Sequence, residues 1–410
     1  MATLFTSTRF ASAAADGVDW RDATKQVLEA LSGARTPGDG FNIGFLYISD
    51  LLAEDAQSIL GLFKSVTGID TWIGSGGMAV AGCGASFVDK PAISAMVGHI
   101  DPALFHTFFT ETSDHHDIKK SMKPWLEKHE PMLTVLHGNS VTERNPDFTV
   151  SLIAQYLGGF VTGGLTSARG RHAHIAGDLY EEGFSGAAFS SDVAVSAAMS
   201  QGCVPISGLM TVTKADGHVI MEIDGKKPFD VFSDMLRDMA LKKTGQDPND
   251  ILLNAAGGTP DIPENMRNLF KGEVHIALPV AGSDTKDYMV RDIVGIDPDE
   301  GVMAVAQKME TGDRIMFVHR DDDTVRADLS QTLVALRERV IHEQGTFNPL
   351  GALYFSCIAR APLTFTPDGR DELALVRDII GDVPLAGFYA NGEIAGGRLY
   401  RYTGVLILFL

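Results

Sequence analysis

The spacing of hydrophobic and polar residues predicts short buried strands that alternate with amphipathic helices. The apolar run Asn42–Asp50 (NIGFLYISD) has the length and composition of a buried strand. Apolar residues then recur at helical spacing over Leu51–Val66, and a second short strand ends in the glycine-rich stretch Trp72–Gly82. The pattern therefore predicts a unit of strand, helix, strand and glycine loop.

This unit recurs along the chain. A second copy comprises the strand Asn348–Cys357, the helix Glu372–Ile380 and the glycine-rich stretch Asp382–Gly397 (DVPLAGFYANGEIAGG). A fainter third copy lies between these two, over Glu130–Ser140, Thr149–Leu157 and Phe160–Gly170. Three similar segments predict internal structural repeats. Glycine at the same place in each copy fits either a close approach of two backbones or a loop around a ligand, and the sequence leaves both open.

The remaining pattern predicts a mixed sheet and a second body. A hairpin is predicted at Ala215–His218 (ADGH), a helix begins near Pro228, and a long helix covers Val325–Glu343 with four apolar residues on one face, namely Leu329, Leu333, Leu336 and Val340. At 410 residues the chain is long for a single core. We therefore expect a mixed α/β (α+β) fold with two domains and a boundary near residue 227.

Composition and charge limit the possible partners and compartments. The net charge of −19 argues against nucleic acid and anionic membranes as partners, and no apolar run has the length of a membrane helix. Met1–Asp19 lacks the basic and apolar regions of a signal peptide. Cys83, Cys203 and Cys357 are far apart, as is typical of reduced thiols. These features predict a cytoplasmic protein without membrane insertion.

Five motifs, in this order, resemble those of the FIST family (F-box and intracellular signal transduction). They are GGLTSARG, SQGCVPIS followed by VTKADGHVIMEIDGKKPFDV, VRDIVGIDPDEGVMAV, GALYFSC and DVPLAGFYANGEIAGG. The resemblance runs from Phe41 to the C-terminus. It implies an N-terminal extension at 1–40, a FIST N-terminal domain at 41–227 and a FIST C-terminal domain at 228–410.

The resemblance implies a function in sensing. It suggests a small-ligand-binding sensory protein of intracellular signal transduction that is not an enzyme, and whose ligand is a small polar molecule such as an amino acid. Because the chain ends with the last strand of the family, we expect it to signal through a separate protein, such as a histidine kinase, a chemoreceptor or a cyclic-nucleotide enzyme. One branch of the family is linked to haem and nitric oxide, so a haem-binding gas sensor is the alternative.

The candidate ligand site is predicted just after the fourth motif, GALYFSC, and within the fifth, DVPLAGFYANGEIAGG. An arginine fork suits a ligand carboxylate and a glutamate suits a ligand amine, so the two would complement an amino-acid zwitterion. The predicted ligand-binding residues are Arg360, Tyr389, Asn391 and Glu393, with Gln201 and Arg169 contributing from the N-terminal half. The alternative is structural, with an ion pair at Arg360, a turn at Asn391 and a Glu393 side chain that is solvated or paired with Arg398. The chain has CIARAP where the family has a CNGRG-type run, and Val204 where it has arginine.

Other chemistry has weaker support. His172 and His174 are the alternative haem ligands, and their spacing would place both rings on one face of a strand. The histidines of TSDHHDIKK, His115 and His116, diverge on either a strand or a helix, so we interpret them as solvated. An enzyme acting through Cys357 or Cys203 lacks a base at a recognisable spacing, and the chain has no GxSxG, P-loop, HExxH or complete GxGxxG motif. We predict no catalytic residue, no metal and, apart from the haem alternative, no cofactor.

Overall fold

A computed structural model describes most of the chain. The described residues are 2–34, 40–111, 116–139, 141–142, 145–245, 273–280, 287–361, 363 and 370–410. They form two compact units, one comprising Met1–Gln201 and Arg326–Leu410 and the other Gly202–Val325. The described helices are α1 (Trp20–Ser32), α2 (Ala56–Thr67), α3 (His116–Leu126), α4 (Pro146–Leu157), α5 (Pro228–Thr244), α6 (Asp322–Gln344) and α7 (Glu372–Ile380).

Strands make up most of both units. Those that precede residue 202 are β1 (Thr3–Thr6), β2 (Phe10–Asp16), β3 (Ile43–Ser49), β4 (Thr71–Gly77), β5 (Ala79–Gly82), β6 (Ala85–Val88), β7 (Ala92–Gly98), β8 (Phe105–Thr110), β9 (Pro131–Gly138), β10 (Phe160–Leu165), β11 (His174–Ala176), β12 (Asp178–Tyr180), β13 (Phe184–Ser190) and β14 (Val195–Ser200). Those that follow are β15 (Val204–Pro205), β16 (Met210–Asp216), β17 (Val219–Ile223), β18 (Glu273–Pro279), β19 (Tyr288–Arg291), β20 (Ile293–Asp297), β21 (Val302–Val305), β22 (Arg314–Arg320), β23 (Gly351–Cys357), β24 (Leu385–Ala390), β25 (Glu393–Ala395), β26 (Arg398–Tyr400) and β27 (Gly404–Phe409). The predicted mixed α/β fold is confirmed.

The first unit contains the three predicted repeats. Each is a pair of parallel strands joined by a helix: β3, α2 and β4; β9, α4 and β10; and β23, α7 and β24. Each pair lies at the centre of its own sheet. The strand orders are β1-β2-β7-β3-β4-β11-β12 in the first sheet, β8-β13-β9-β10-β25-β26 in the second and β14-β27-β23-β24-β5-β6 in the third.

The three repeats exchange their hairpins. After its second parallel strand, each repeat leaves its own sheet and adds a hairpin to a neighbouring one. With the repeats numbered in chain order, so that the C-terminal copy is the third, hairpin β5–β6 of the first repeat pairs with β24. Hairpin β11–β12 of the second pairs with β4, and β25–β26 of the third pairs with β10. The exchange is cyclic, so each of the three sheets contains a hairpin from another repeat. No repeat completes a sheet from its own residues.

Glycine at one equivalent position permits the close pairing within each repeat. The three glycines are Gly74, Gly163 and Gly387. A Cβ built at Gly387 would lie 1.8 Å from the carbonyl oxygen of Tyr354 on the adjacent strand, and the other two glycines would meet their neighbouring strands at 1.8 and 2.0 Å. A side chain there would overlap the backbone. The glycine of each second strand is therefore explained by packing.

Aromatic side chains fill the centre of the first unit, where the three sheets meet. Tyr47, His137 and Phe355 come from equivalent positions on β3, β9 and β23, and all three are fully buried. Their ring centroids are 5.6 Å apart for Tyr47 and His137, 6.0 Å for Tyr47 and Phe355, and 5.5 Å for His137 and Phe355. Phe388 stacks on Tyr47 at 5.4 Å. Rings from three repeats thus form one core, which ties the sheets together.

The second unit is one mixed sheet covered by a helix. Its strand order is β19-β18-β22-β16-β17-β21-β20, and β15 also pairs with β22. Apolar residues of these strands form a core with Met235 of α5. The predicted hairpin at Ala215–His218 joins β16 to β17, as expected. The predicted boundary at residue 227 lies inside this unit, between β17 and α5, and residues 3–32 of the predicted N-terminal extension form β1, β2 and α1 of the first unit.

The pairing glycines lead to a stability prediction. We expect Gly387→Ala to lower the free energy of unfolding by about 3 kcal/mol, because overpacking against a backbone carbonyl forces the paired strands apart. Gly61→Ala is the matched control, since Gly61 lies in α2 with no atom within 4 Å of an added Cβ. The control should stabilise the protein by about 0.5–1 kcal/mol. Urea unfolding of both variants tests this, and equal stability of the two would contradict the packing role.

Candidate functional site

Several predicted site residues come together at the carboxyl end of β23 and β24. Arg360 lies in the 3-10 turn Ile358–Arg360 that follows β23, Tyr389 lies in β24, and Glu393 begins β25. Gln201 follows β14, whose last residue, Ser200, contacts Arg360. The carboxyl edge of parallel strands is the usual place for ligands in α/β sheets. These residues therefore occupy a suitable position, and their contacts decide what each can do.

Arg360 is held in a buried ion pair. Its side chain is fully buried, its Nε donates to Glu372 Oε1 at 2.7 Å, and its Nη2 lies 2.5 Å from the same oxygen. Nη1 lies 3.3 Å from both Ser200 Oγ and the carbonyl oxygen of Tyr402. Burial opposes ionisation, but the adjacent Glu372 outweighs it and holds the pKa of Arg360 above its usual range. This geometry is the structural ion pair that the sequence left as an alternative.

Glu372, the partner of Arg360, is itself surrounded by donors. Its side chain is buried, and its Oε1 accepts from the Tyr354 hydroxyl at 2.8 Å while Oε2 accepts from Ser356 Oγ at 2.7 Å. Glu372 is in the first turn of α7, where the helix dipole favours a negative charge. The carboxylate and the guanidinium therefore neutralise each other within a hydrogen-bonded network.

Glu393 is a buried carboxyl group with one oxygen engaged. Oε2 accepts from the backbone N–H of Thr403 at 3.0 Å and from Thr403 Oγ1 at 2.8 Å. The other oxygen, Oε1, has no hydrogen-bond partner of good geometry among the described residues, and the neighbouring donor is the Cys357 thiol. Burial raises the pKa of Glu393 to about 7, although the Thr403 hydrogen bonds and the charge of Arg360 act in the opposite direction. A buried carboxyl group with an unsatisfied acceptor oxygen destabilises the fold unless a donor forms a hydrogen bond to that oxygen.

The Cys357 thiol is poorly suited to nucleophilic chemistry. Cys357 is buried at the end of β23, and its burial, together with the negative charge of Glu393, raises the pKa of the thiol. Cys203, in the second unit, is also buried. Because the thiolate is the reactive species, a thiol that stays protonated at neutral pH is inert.

Tyr389 and Asn391 mark the place where the third repeat crosses between sheets. The Tyr389 ring is fully buried, and its hydroxyl lies 2.6 Å from Ser86 Oγ. Ser167 Oγ donates to the carbonyl oxygen of Tyr389 at 2.5 Å. Asn391 is exposed, and its backbone N–H donates to the carbonyl oxygen of Leu165 at 3.0 Å. Of the two side chains, Asn391 is the one at the surface beside the buried cluster.

Arg169 belongs to a separate group of ion pairs beyond the end of β3. Its Nε and Nη2 donate to the two carboxylate oxygens of Asp50, each at 2.8 Å, and its Nη1 donates to Asp89 at 2.8 Å. Although burial raises the pKa of Asp50, the hydrogen bonds and charge of Arg169 outweigh it, so the pKa lies below its usual value. Arg169 is thus paired with two carboxylates of the protein itself.

The two candidate haem ligands occupy different environments. His174 is fully buried in β11, with Nδ1 2.7 Å from Ser185 Oγ and Nε2 3.2 Å from the carbonyl oxygen of Glu182. Burial lowers the pKa of His174 to about 4. His172 precedes β11, and its Nδ1 lies 2.7 Å from Thr166 Oγ1. The expectation that both rings share a strand face is wrong, because only His174 is in the strand.

The fit to a metal centre is poor for His174, since both of its ring nitrogens already have protein partners. Within the described part of the chain, no group of three or more His, Cys, Asp or Glu side chains is arranged to hold a metal ion. His115 lies outside the described residues, and so does the side chain of His116.

Sequence reasoning missed the partners of the site residues. Glu372 gives a weak signal, because it is an acidic residue beside the apolar positions of an amphipathic helix and directly follows the capping residue Asp371. Ser356 is a polar residue inside an apolar strand. Thr403 and Ser200 have no such signal, since only the pairing of β14, β27 and β23 brings them to Glu393 and Arg360.

The buried state of Glu393 predicts a pH-dependent stability. The folded protein holds this proton more tightly than the unfolded chain, because the pKa is raised from 4.5 to about 7. Its contribution is therefore fully present below pH 4.5 and is lost as the pH rises to about 7. We expect Glu393→Gln to gain about 2–3 kcal/mol relative to the wild type between pH 5 and pH 8. Urea unfolding at both pH values measures this, with Glu29→Gln, whose side chain is 67% exposed, as the control. A difference that does not change with pH would refute the assignment.

The Arg360–Glu372 pair predicts non-additive mutations. Arg360→Met or Glu372→Gln alone should cost about 3–5 kcal/mol, because each leaves a buried group without its counter-charge. The double variant should cost clearly less than the sum of the two. Urea unfolding of the four proteins completes the cycle, and additive costs would mean that the two groups do not depend on each other.

Comparison with known proteins finds two matching family models and several relatives. A model of the FIST N domain matches residues 42–226, and a model of the FIST C domain matches residues 252–396. An uncharacterized protein of Mycobacterium tuberculosis is 32% identical over 220 residues, which are 52% of this chain and 50% of the relative. An uncharacterized protein of Mycobacterium bovis is 29% identical over 216 residues, again 52% of this chain and 50% of the relative. The chain thus spans about half the length of the curated relatives it matches.

The two family matches lie in the predicted order, the first within residues 41–227 and the second within 228–410. FIST domains are sensor domains of signal transduction. Among the described helices, none combines the length and the apolar character that a membrane span requires. Together the two matches cover more than half of the chain, which therefore belongs to the FIST family.

Proposed function

We propose that this chain is a sensor that binds a small polar ligand, such as an amino acid, at Glu393. The observation that carries the proposal is the acceptor oxygen of a fully buried carboxyl group, Glu393 Oε1, for which the described residues offer no hydrogen-bond partner of good geometry. Native proteins rarely leave such a group unsatisfied, since the cost is about 1–3 kcal/mol. A ligand N–H group would remove that cost.

The surroundings of Glu393 support a ligand site. Thr403 fixes one carboxylate oxygen and so orients the other. Exposed Asn391 lies two residues away at the crossing between sheets, and Tyr402, with a φ of 66°, precedes the residue that holds Glu393. A non-glycine residue in the left-handed region stores strain of about 1–3 kcal/mol, and such strain is frequent at ligand sites. Binding could therefore be coupled to the segment that contains Tyr402 and Thr403.

The proposal assigns binding and no catalysis. The buried thiol next to Glu393 supports this, because burial raises the pKa of Cys357 and leaves it without the thiolate that nucleophilic attack requires. It also assigns no cofactor. The two protein partners of His174 support that part, because a nitrogen that is already hydrogen-bonded is not available to iron.

The signal is proposed to pass to a separate protein, such as a histidine kinase, a chemoreceptor or a cyclic-nucleotide enzyme, and to do so in the cytoplasm. Membership of the FIST family supports a signalling partner, because FIST domains are sensor domains. The net charge of −19 supports a protein partner over nucleic acid.

A thermal-shift screen tests the proposed site. The purified protein is screened against small polar metabolites, and we expect at least one to raise the melting temperature. That shift should disappear in Glu393→Gln, which keeps the size of the side chain but removes its charge, and should persist in the exposed variant Glu29→Gln. A ligand whose shift is unchanged in Glu393→Gln would place the site elsewhere and defeat the proposal.

An absorption spectrum tests the absence of haem. Protein purified from haem-supplemented cells should have no Soret band, because His174 has no nitrogen to offer and His172 has one engaged nitrogen. A stoichiometric band that is lost in His172→Ala or His174→Ala would instead make this chain a haem sensor.

A further inference from the structure

The charges around Glu393 determine which class of polar ligand the proposed site can hold. An amino-acid zwitterion needs a cation for its carboxylate and an anion for its ammonium group. Arg360 is the cation whose charge acts on Glu393. Its Nε and Nη2 both face Glu372 Oε1, at 2.7 and 2.5 Å, so its charge is already matched by a carboxylate of the protein.

The contacts of the guanidinium leave it little freedom to turn toward a ligand. Nη1 faces Ser200 and the carbonyl oxygen of Tyr402, and a Cβ added at Gly404 would lie 3.3 Å from Arg360 Cζ. Packing on that side is therefore tight. Moving Arg360 to a ligand carboxylate would strand Glu372 as a buried, uncompensated charge, and breaking a buried pair in this way is strongly unfavourable.

Two further charges that act on this cluster are negative. Asp328 accepts from Ser200 Oγ at 2.6 Å and acts on the Arg360 charge, and Asp371 acts on Tyr389. With Arg360 and Glu372 cancelled, ionised Glu393 leaves the cluster with a net negative charge. A cation would neutralise it, whereas the carboxylate of an amino acid would meet, in Arg360, a charge that Glu372 already matches.

We infer that the ligand is an organic amine without a carboxylate, held by its ammonium group on Glu393 Oε1. The inference rests on the proposed function of Glu393 and narrows its ligand class. The ammonium group would supply the hydrogen bond that Oε1 lacks in the described residues and the positive charge that the cluster lacks. Amino acids, which the family resemblance suggests, would be bound more weakly than the amines formed from them by loss of the carboxyl group.

Matched pairs of compounds test this inference. Each pair comprises an amino acid and the amine that differs from it by loss of the carboxylate: tyrosine and tyramine, histidine and histamine, leucine and isoamylamine, lysine and cadaverine, and arginine and agmatine. Affinities are measured by isothermal titration calorimetry on the full chain. We expect at least one amine to bind, with a Kd at least about tenfold lower than that of its amino acid, since the uncompensated carboxylate costs more than about 1.4 kcal/mol.

Two variants relate the result to the site. Glu393→Gln should lose the amine affinity while its circular dichroism spectrum stays that of the wild type, and Glu29→Gln should keep the affinity. An amino acid that binds as tightly as its amine, and whose binding is lost in Glu393→Gln, would overturn the ligand class but leave the proposed site standing. If no compound of either series binds, or if binding survives Glu393→Gln, both the inference and its assignment to Glu393 fail.

Discussion

The exchange of hairpins among three repeats is the constraint on which the first unit depends. Each strand–helix–strand repeat ends in a hairpin that pairs with the parallel strands of a neighbouring repeat. Without the hairpin of its neighbour, each repeat would have the second strand of its parallel pair at an unpaired sheet edge, and such edges are prone to aggregate. Each sheet therefore depends on strands from a second repeat, and the rings of Tyr47, His137 and Phe355 meet where the three sheets come together.

The same exchange creates the candidate site. Because the third repeat must cross from β24 to β25, its chain passes the carboxyl end of β23, and Glu393 comes to lie near Cys357 and Arg360. Several polar side chains at this crossing are buried, among them Tyr389 and Glu393. Most of them are matched there, since Arg360 meets Glu372 and Tyr389 meets Ser86. The vacant oxygen of Glu393 is notable because it belongs to a fully buried carboxyl group, and a buried acceptor without a hydrogen bond is costly.

The charge balance within this cluster gives Arg360 and Glu393 different roles, although the sequence suggested that both bind one ligand. Arg360 and Glu393 look, along the sequence, like the two halves of a zwitterion site, yet in the fold one is neutralised by Glu372 and the other is not. Breaking a buried ion pair of this kind by removing one partner is strongly unfavourable, because the other charge is left buried and uncompensated. Here the pair joins the turn after β23 to the first turn of α7, next to the carboxyl group of Glu393, whose pKa is raised to about 7.

Local information in the chain was enough to recognise the three repeats, the helices α4, α6 and α7, the hairpin between β16 and β17, and the family. These features depend on apolar spacing, on turn residues and on short motifs, all of which are read within one segment. The sequence did not predict which strand each hairpin pairs with or which residue neutralises each buried charge. Glu393 pairs across the fold with Thr403, Arg360 turns to Glu372 and Ser200, and His174 closes on Ser185, because strand pairing and burial act between residues that are neighbours only after the three sheets have closed.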